Sequence, residues 1–268
     1  MKIDIISIDG KESGKIDLPK QFEEEFRPDI IRRAVWAVQS TRRQPYGAFS
    51  EAGKRPSAKL SKKRKDYKGS YGHGISRVPR KIMSRRGTRM NWIAAFAPGT
   101  VGGRKAHPPK AEKIWMQKIN KKERRKAIRS ALSASLNHNL VVERGHLAPK
   151  NYPFIIESNA ENISRTKDFV KMMNSLELKN EIERVAERKV RAGKGKMRNR
   201  KYRTKKGPII VVSQKCPLLN ASKNIPGIES VEVRKLNAEL LAPGAKAGRL
   251  ALFTEKAIQE IAKSNLFR

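Results

Sequence analysis

The sequence has few cysteines and histidines and no long apolar run, and each shortage excludes a class of function. The single cysteine, Cys216, cannot form an internal disulfide or a multi-cysteine zinc site. The histidines are widely spread, so we expect loop or surface positions and no metal ligands. They are His73, His107, His138 and His146. No apolar run approaches the roughly 18 residues of a membrane-spanning helix, so no membrane partner is expected.

Motifs for nucleotide binding are missing as well. The Gly-rich segment 242–249 has too few residues between its glycines for a P-loop, and it ends in Arg249 with no Ser or Thr after it. Segment 99–104 follows no predicted strand, which excludes a dinucleotide-binding turn. Acids such as Glu181 and Glu187 lie along predicted charged helices, where a solvent-exposed face is expected. The sequence therefore predicts neither catalysis nor a cofactor.

Positive charge is what the sequence has in excess. It contains 61 lysines and arginines against 25 acids, which gives a net charge of +36 and a pI of about 10.7. A compact chain with this charge repels itself, and phosphate groups relieve that repulsion. Nucleic acid is therefore the expected partner.

Much of the charge lies between positions 41 and 110. This segment has 19 lysines and arginines against two acids, so 19 − 2 = +17 of the net charge falls here, and nine glycines and six prolines interrupt it. Apolar residues do not recur in it with a helical or strand period. Loops longer than about 15 residues in compact domains are usually functional or disordered. We expect an extended basic loop, inserted near the N-terminus, that is ordered by a polyanionic partner.

The rest of the chain alternates between strand and helix patterns. Strands are predicted at 2–8, 152–157, 208–212, 231–233 and 250–253, and helices at 29–40, after Asn120, at 164–176, at 181–190 and from Thr254. Asn120 with Glu123 resembles a capping box, and Thr254 is a good N-cap. The alternation predicts an α/β fold, with a mainly parallel sheet flanked by helices. We expect one globular domain, residues 1–40 and 111–268, with 41–110 as the loop.

Within the basic segment, cations alternate with flat side chains, as in Arg43 before Tyr46 and Arg89 before Trp92. Cations reach phosphates, while aromatic rings and guanidinium planes stack on unpaired bases, so this pattern indicates RNA. A second basic run, 191–206, has nine cations in sixteen residues and no acid. The predicted RNA-binding residues are Arg42, Arg43, Tyr46, Lys54, Arg55, Lys62, Lys63, Arg64, Lys65, Arg77, Arg80, Arg104, Arg191, Lys194, Lys196, Arg198, Arg200 and Arg203.

Several short motifs are spread along the chain. They are RQPY at 43–46, SRVPR at 76–80, RAGKGKMRNR at 191–200, NIPGI at 224–228, LN at 236–237, LAPG at 241–244 and GR at 248–249. Together they resemble the large-subunit ribosomal protein "L four" family in its archaeal and eukaryotic form. The resemblance spans most of the chain, and the 191–200 block is its most specific part. Because the long basic C-terminal extension of eukaryotic members does not follow Arg268, the archaeal type is expected.

This resemblance implies a globular α/β domain on the outer surface of the large subunit of the cytoplasmic ribosome, and a long loop that penetrates rRNA. It also implies that the tip of the loop forms part of the nascent-peptide exit tunnel. By position, the tip is expected at about 77–103, with Arg85, Arg86, Arg89 and Trp92 at the tunnel. The implied partners are large-subunit rRNA, neighbouring ribosomal proteins and the nascent peptide. Bacterial relatives also repress their own operon.

Two other functions remain open on the residues alone. An RNA-modifying enzyme would hold a cofactor in its α/β core, although segment 9–14 is too polar and acidic for a nucleotide-binding turn. A chromatin-type protein would bind duplex DNA and use no extended loop. A disordered basic linker is a further interpretation of the loop itself, but Trp92, Ile93 and Phe96 are unusual in such a linker.

Overall fold

A computed structural model describes residues 1–65, 69–86 and 89–268, without the side chains of Arg85, Arg89 and Met90. Its strands are β1 Lys2–Ile6, β2 Glu12–Asp17, β3 Arg80–Arg86, β4 Arg89–Ala94, β5 Ile155–Ile156, β6 Lys189–Val190, β7 Tyr202–Arg203, β8 Ile209–Val212, β9 Glu229–Glu232 and β10 Ala251–Thr254. Its α-helices are α1 Pro28–Thr41, α2 Lys121–Leu136, α3 His138–Glu143, α4 Thr166–Ser175, α5 Lys179–Ala186, α6 Pro217–Lys223, α7 Ala238–Leu241 and α8 Glu255–Lys263. Short 3-10 helices cover Lys20–Phe22, Ser158–Asn162, Val233–Lys235 and Pro243–Ala245.

The described residues form two compact units. We call Met1–Arg42 with Met116–Arg268 the core unit, and Arg43–Trp115 the loop unit. The core unit is built on a six-stranded sheet in the order β2-β1-β5-β10-β8-β9. The edge strand β2 is antiparallel to β1, and every other neighbouring pair is parallel. The predicted α/β fold with a mainly parallel sheet is confirmed.

Strand β8 shows why the sheet has helices on both faces. All four of its residues are fully buried. Ile209 and Val211 pack in one apolar cluster with α1, α2 and α8, while Ile210 and Val212 pack in a second cluster with α4 and α6. Successive side chains of a strand point to opposite faces, so a continuous apolar run needs a layer on each side. The prediction for 208–212 is confirmed.

The starts of three helices can be compared with their local sequence, and two of them test the capping predictions. α1 begins with Pro28 at its first helical position, where a missing amide hydrogen costs nothing. Thr254 caps α8 as predicted, because its hydroxyl accepts a hydrogen bond from the Ala257 amide at 3.3 Å. Asn120 precedes α2, but its side chain makes no capping hydrogen bond. The predicted capping box at Asn120 and Glu123 is therefore wrong.

The helix predicted at 181–190 is wrong over its last residues. α5 ends at Ala186, and Lys189–Val190 instead forms β6, which pairs antiparallel with β7. The Arg191 amide donates to the Lys201 carbonyl at 2.8 Å, which extends the pairing by one step. Most of the second basic run is therefore presented on a hairpin, which we call the basic hairpin and define as residues 189–203.

The loop unit contains a hairpin that the sequence analysis did not predict. β3 and β4 pair antiparallel, with Ile82 opposite Trp92 and Lys81 opposite Ile93. The register shifts at Met83, which is the mark of a bulge. Met83 and Ile93 are both more than half exposed. Because neither face of this hairpin is consistently buried, its sequence lacks the alternation by which a strand is recognised.

Candidate nucleic-acid interface

Seven cations of the basic hairpin are exposed. Lys189 pairs with Glu187 at 3.9 Å, and Lys201 lies over the ring of Tyr202. The other five are Lys194, Lys196, Arg198, Arg200 and Arg203. Within the described part of the chain, none of these five side chains forms an ion pair or a hydrogen bond. Most other charged groups near them are paired, as Lys205 is with Glu187 at 2.7 Å. The five charges are therefore available to an external anion.

Arg191, also a predicted RNA contact, is engaged inside the basic hairpin. Its Nε donates to the Arg200 carbonyl at 3.0 Å, and its Nη2 donates to the Tyr202 carbonyl at 3.4 Å. Gly193 has a φ of +77°, a conformation that glycine adopts without strain. The Arg191 side chain thus positions the turn that displays its neighbours.

A buried polar cluster lies next to the hairpin in the sequence and holds the segment that follows it. The Glu181 carboxylate accepts hydrogen bonds from Arg184 at 2.7 Å and from the Leu147 amide at 3.0 Å, and it lies 2.6 Å from His146 Nδ1. Arg184 also donates to the Lys206 carbonyl at 3.1 Å. Glu181 is 0% exposed, so the expectation of a solvent-exposed face is wrong for this residue. His146 lies in a loop, as expected, but is buried.

The environment of this cluster sets its charge state. Burial lowers the pKa of His146 and outweighs the opposing effect of its hydrogen bond with Glu181. Burial alone would raise the pKa of Glu181. Hydrogen bonds from Arg184, His146 and the Leu147 amide together lower it by more, so the net change is downward. The cluster therefore contains a neutral imidazole that donates to a charged carboxylate.

We expect the free energy of unfolding to fall as the pH drops below about 6.5, the ordinary pKa of an unfolded histidine. The pKa of His146 is lower in the folded chain, so the unfolded chain binds the proton first and gains stability in acid. One such proton contributes at most about 1.4 kcal/mol per pH unit. Urea unfolding at pH 7.5 and 5.5 measures the change.

The matched variants are His146→Gln, which should shrink the loss between these two pH values, and His107→Gln, which should leave it unchanged. His107 is exposed in the loop unit and lies outside the buried cluster. An equal loss in wild type and His146→Gln would contradict the neutral state of His146.

Arg249 is the second buried anchor. Its side chain is 0% exposed, and it donates to the Gly207 carbonyl at 2.8 Å, to the Leu240 carbonyl at 2.8 Å and to Glu229 at 2.6 Å. Lys206 also pairs with Glu229. Burial lowers the pKa of Arg249, while Glu229 opposes that change. The end of the Gly-rich segment thus fixes the chain just beyond the basic run.

In the loop unit, Arg43, Tyr46 and Trp115 form an aromatic and cationic cluster. The rings of Tyr46 and Trp115 are stacked, with centroids 5.8 Å apart and planes 17° apart. The guanidinium carbon of Arg43 lies 3.7 Å from the Trp115 ring centroid, and Lys113 Nζ lies 4.4 Å from it. The sequence alone does not link Trp115 to Tyr46, because the two residues lie at opposite ends of the segment.

Other predicted arginines of the loop unit also lie over aromatic rings, which holds their guanidinium groups in place. The distances from guanidinium carbon to ring centroid are 4.5 Å for Arg55 and Phe49, 4.6 Å for Arg77 and Tyr71, 5.9 Å for Arg104 and Phe96, and 6.0 Å for Arg64 and Tyr71. The predicted lysines Lys54, Lys62, Lys63 and Lys65 are exposed and form no ion pair with any described residue.

The remaining predicted residues differ in their surroundings. Arg80 is half-buried and donates to the carbonyls of Ser76 and Trp92, at 3.0 and 3.4 Å, so it holds the β3–β4 hairpin together. Trp92 is half-buried, and Arg86 is exposed. Arg42, in the core unit, pairs with Glu239 at 2.8 Å. The side chains of Arg85 and Arg89 lie outside the described part of the structure.

Two further classes of site are absent from the described residues. In residues 1–65, 69–86 and 89–268, no helix has the length and apolar character needed to cross a membrane. In the same ranges, no three acidic, histidine or cysteine side chains are grouped so that they could hold a metal ion.

Comparison with known proteins places the chain in one family. A family described as "Ribosomal protein L4/L1 family" matches residues 16–264. The chain is 48% identical over 268 residues to a large ribosomal subunit protein uL4 of Nanoarchaeum equitans, with 100% of both chains covered. It is 43% identical to the uL4 proteins of Archaeoglobus fulgidus, with 97% of both chains covered, and of Methanosphaera stadtmanae, with 97% and 96% covered. The resemblance read from the motifs is confirmed, and this chain belongs to the ribosomal protein L4/L1 family.

Proposed function

We propose that this chain is a structural constituent of the large ribosomal subunit and that it binds rRNA through the basic hairpin and the loop unit. Its relatives are named large ribosomal subunit proteins, which supports the assignment. The observation that carries it is that five of the seven exposed cations on the basic hairpin have no partner in the described chain. Neither alternative, an RNA-modifying enzyme or a chromatin-type protein, has support in this family.

The mechanism is electrostatic and has no chemical step. Each exposed cation that neutralises an rRNA phosphate releases condensed counterions, which makes the affinity strongly dependent on salt. The arginines held over rings in the loop unit lose little side-chain entropy on binding, because contact with the ring already restricts them. The chain thereby supports folding of rRNA and assembly of the subunit with neighbouring ribosomal proteins, in the cytoplasm.

Competition binding at about 150 mM salt tests this function. Structured rRNA fragments are expected to displace a labelled rRNA probe at lower concentration than duplex DNA of equal phosphate number does. The reason is that splayed bases and irregular backbones can use the aromatic groups, which a stacked duplex cannot reach. Equal displacement by duplex DNA would favour a chromatin-type protein and contradict the proposal.

The tip at 77–103 is proposed to line the nascent-peptide exit tunnel and to contact the peptide. Support comes from the side chains near the turn of the β3–β4 hairpin, where exposed Met83 and Ile82 lie close in sequence to exposed Arg86. Mixed apolar and cationic groups suit a wall that faces both RNA and passing peptides. The proposed domain organisation is a globular domain of residues 1–40 and 111–268, with 41–110 as its loop.

Replacing residues 77–103 with a short Gly-Ser linker is expected to leave the core unit folded, because that unit has its own two apolar clusters. Its thermal unfolding midpoint should stay within a few degrees of wild type, measured by circular dichroism. In ribosomes, the same deletion is expected to abolish crosslinks between a nascent peptide and this protein. Loss of cooperative unfolding in the variant would contradict the two-part organisation, and persisting crosslinks would contradict the tip assignment.

A further inference from the structure

The loop unit contains an open cavity of about 830 Å³ near the aromatic cluster. Its volume falls in the range of small-molecule sites, about 300 to 1,000 Å³. The side chains that matter here are two aromatic rings, three lysines and one acid: Tyr46, Trp115, Lys105, Lys110, Lys113 and Glu112. The cavity therefore combines flat apolar surfaces with a net positive charge.

Backbone contacts fix the shape of this cavity. The Ala48 amide donates to the Pro109 carbonyl at 2.9 Å, which joins the segment after Tyr46 to the segment before Trp115. At Gly47 the two segments approach so closely that a Cβ atom would lie 2.6 Å from the Ala111 nitrogen. Only glycine permits this approach. The wall residues from the two ends of the loop unit are thus held facing one another.

The aromatic groups leave binding capacity unused. Tyr46 remains 54% exposed although one side of its ring is stacked on Trp115, so its other face is open to a flat ligand. Trp115 Nε1 is buried and has no hydrogen-bond partner among the described residues. The indole edge of Trp115 is therefore enclosed, and the free face of Tyr46 is the aromatic surface left for a ligand.

We propose that this cavity binds a single unpaired nucleotide of RNA, with its base stacked on Tyr46 and its phosphate held by Lys105, Lys110 and Lys113. The inference rests on the proposed function, RNA binding by the loop unit, and specifies the ligand of one contact within it. A phosphate alone needs no ring, and a base in a duplex is already stacked on its neighbours, so an unpaired nucleotide is the ligand that uses both groups.

The test uses the full chain with Trp36→Phe and Trp92→Phe, which leaves Trp115 as the sole tryptophan of the original three. A single-stranded RNA hexamer and an abasic ribose-phosphate hexamer of equal charge are titrated at the same salt concentration, while Trp115 fluorescence is recorded. We expect the RNA to quench the fluorescence of Trp115. We also expect it to bind about 10-fold tighter than the abasic oligomer, because stacking of a base on an aromatic side chain adds that much affinity.

Substitutions at Tyr46 separate stacking from charge. Tyr46→Phe should keep the difference between RNA and abasic oligomer, whereas Tyr46→Leu, of unchanged charge, should abolish it; circular dichroism checks that both variants are folded. Equal affinity of the two oligomers for the parent chain would overturn the nucleotide site while leaving electrostatic binding of RNA intact. Binding of neither oligomer would count against the proposed function as well.

Discussion

Replacing Arg249 with methionine is expected to lower the free energy of unfolding by about 3 to 5 kcal/mol, the usual cost of removing one partner of a buried ion pair. The substitution leaves the carbonyls of Gly207 and Leu240 without their donor, and it removes one of the two cations that pair with Glu229. Glu229 is 31% exposed and keeps Lys206, so the lower half of that range is expected. Urea unfolding of the full chain at neutral pH gives the measurement.

The matched control is Arg234→Met. Arg234 also pairs with a carboxylate, that of Glu260 at 2.8 Å, but its side chain is mostly exposed, and exposed pairs contribute little. Adding Glu229→Leu to Arg249→Met should recover part of the loss, because the carboxylate that has lost its buried partner is then gone. If Arg249→Met proved as mild as Arg234→Met, the buried guanidinium would have no anchoring role.

Neutralising the five unpartnered exposed cations of the basic hairpin is expected to weaken rRNA binding by about 1,000-fold at roughly 0.15 M salt. The variant replaces Lys194, Lys196, Arg198, Arg200 and Arg203 with glutamine. Each phosphate contact adds about 0.7 to 0.9 to the slope of log affinity against log salt. The slope should therefore fall by about 4 when all five contacts are removed. Filter binding to a large-subunit rRNA fragment across a salt series measures both quantities.

A control variant removes the same charge elsewhere on the core unit. It replaces the exposed lysines Lys167, Lys179, Lys215, Lys256 and Lys263 with glutamine. Both variants lower the net charge from +36 to +31, since 36 − 5 = 31. The control should keep most of the affinity and of the salt slope. If the two variants lost affinity equally, net charge alone would explain binding and the hairpin would not be a specific contact.

The sequence was sufficient to predict the parts of the fold that rest on burial. Strand β8 and helix α8 show the apolar patterns expected of elements packed against a core, and Thr254 caps its helix through a bond between near neighbours. Such local signals identified the mainly parallel α/β sheet. Both basic segments were located as well, because the density of charged residues can be counted directly in the sequence.

What the sequence missed depends on partners far apart in the chain. Glu181 reads as one more acid on a charged helix, and only the fold brings His146 and the Leu147 amide to it. In the same way, only the fold brings Trp115 into contact with Arg43 and Tyr46. The β3–β4 hairpin was missed for another reason, since its strands have no consistently buried face and thus no readable period.

One outer strand of the sheet, β2, affects whether copies of the free chain pair with each other before they bind RNA. β2 is an edge strand with mostly exposed side chains, among them Glu12, Lys15 and Asp17. An open edge offers unpaired backbone groups to any other strand, and edge-to-edge pairing of this kind starts aggregation. The charged side chains along β2 would have to give up water in such a pairing, which makes it unfavourable. This edge of the free protein is thereby protected from pairing with a second copy while the basic surfaces are still unoccupied.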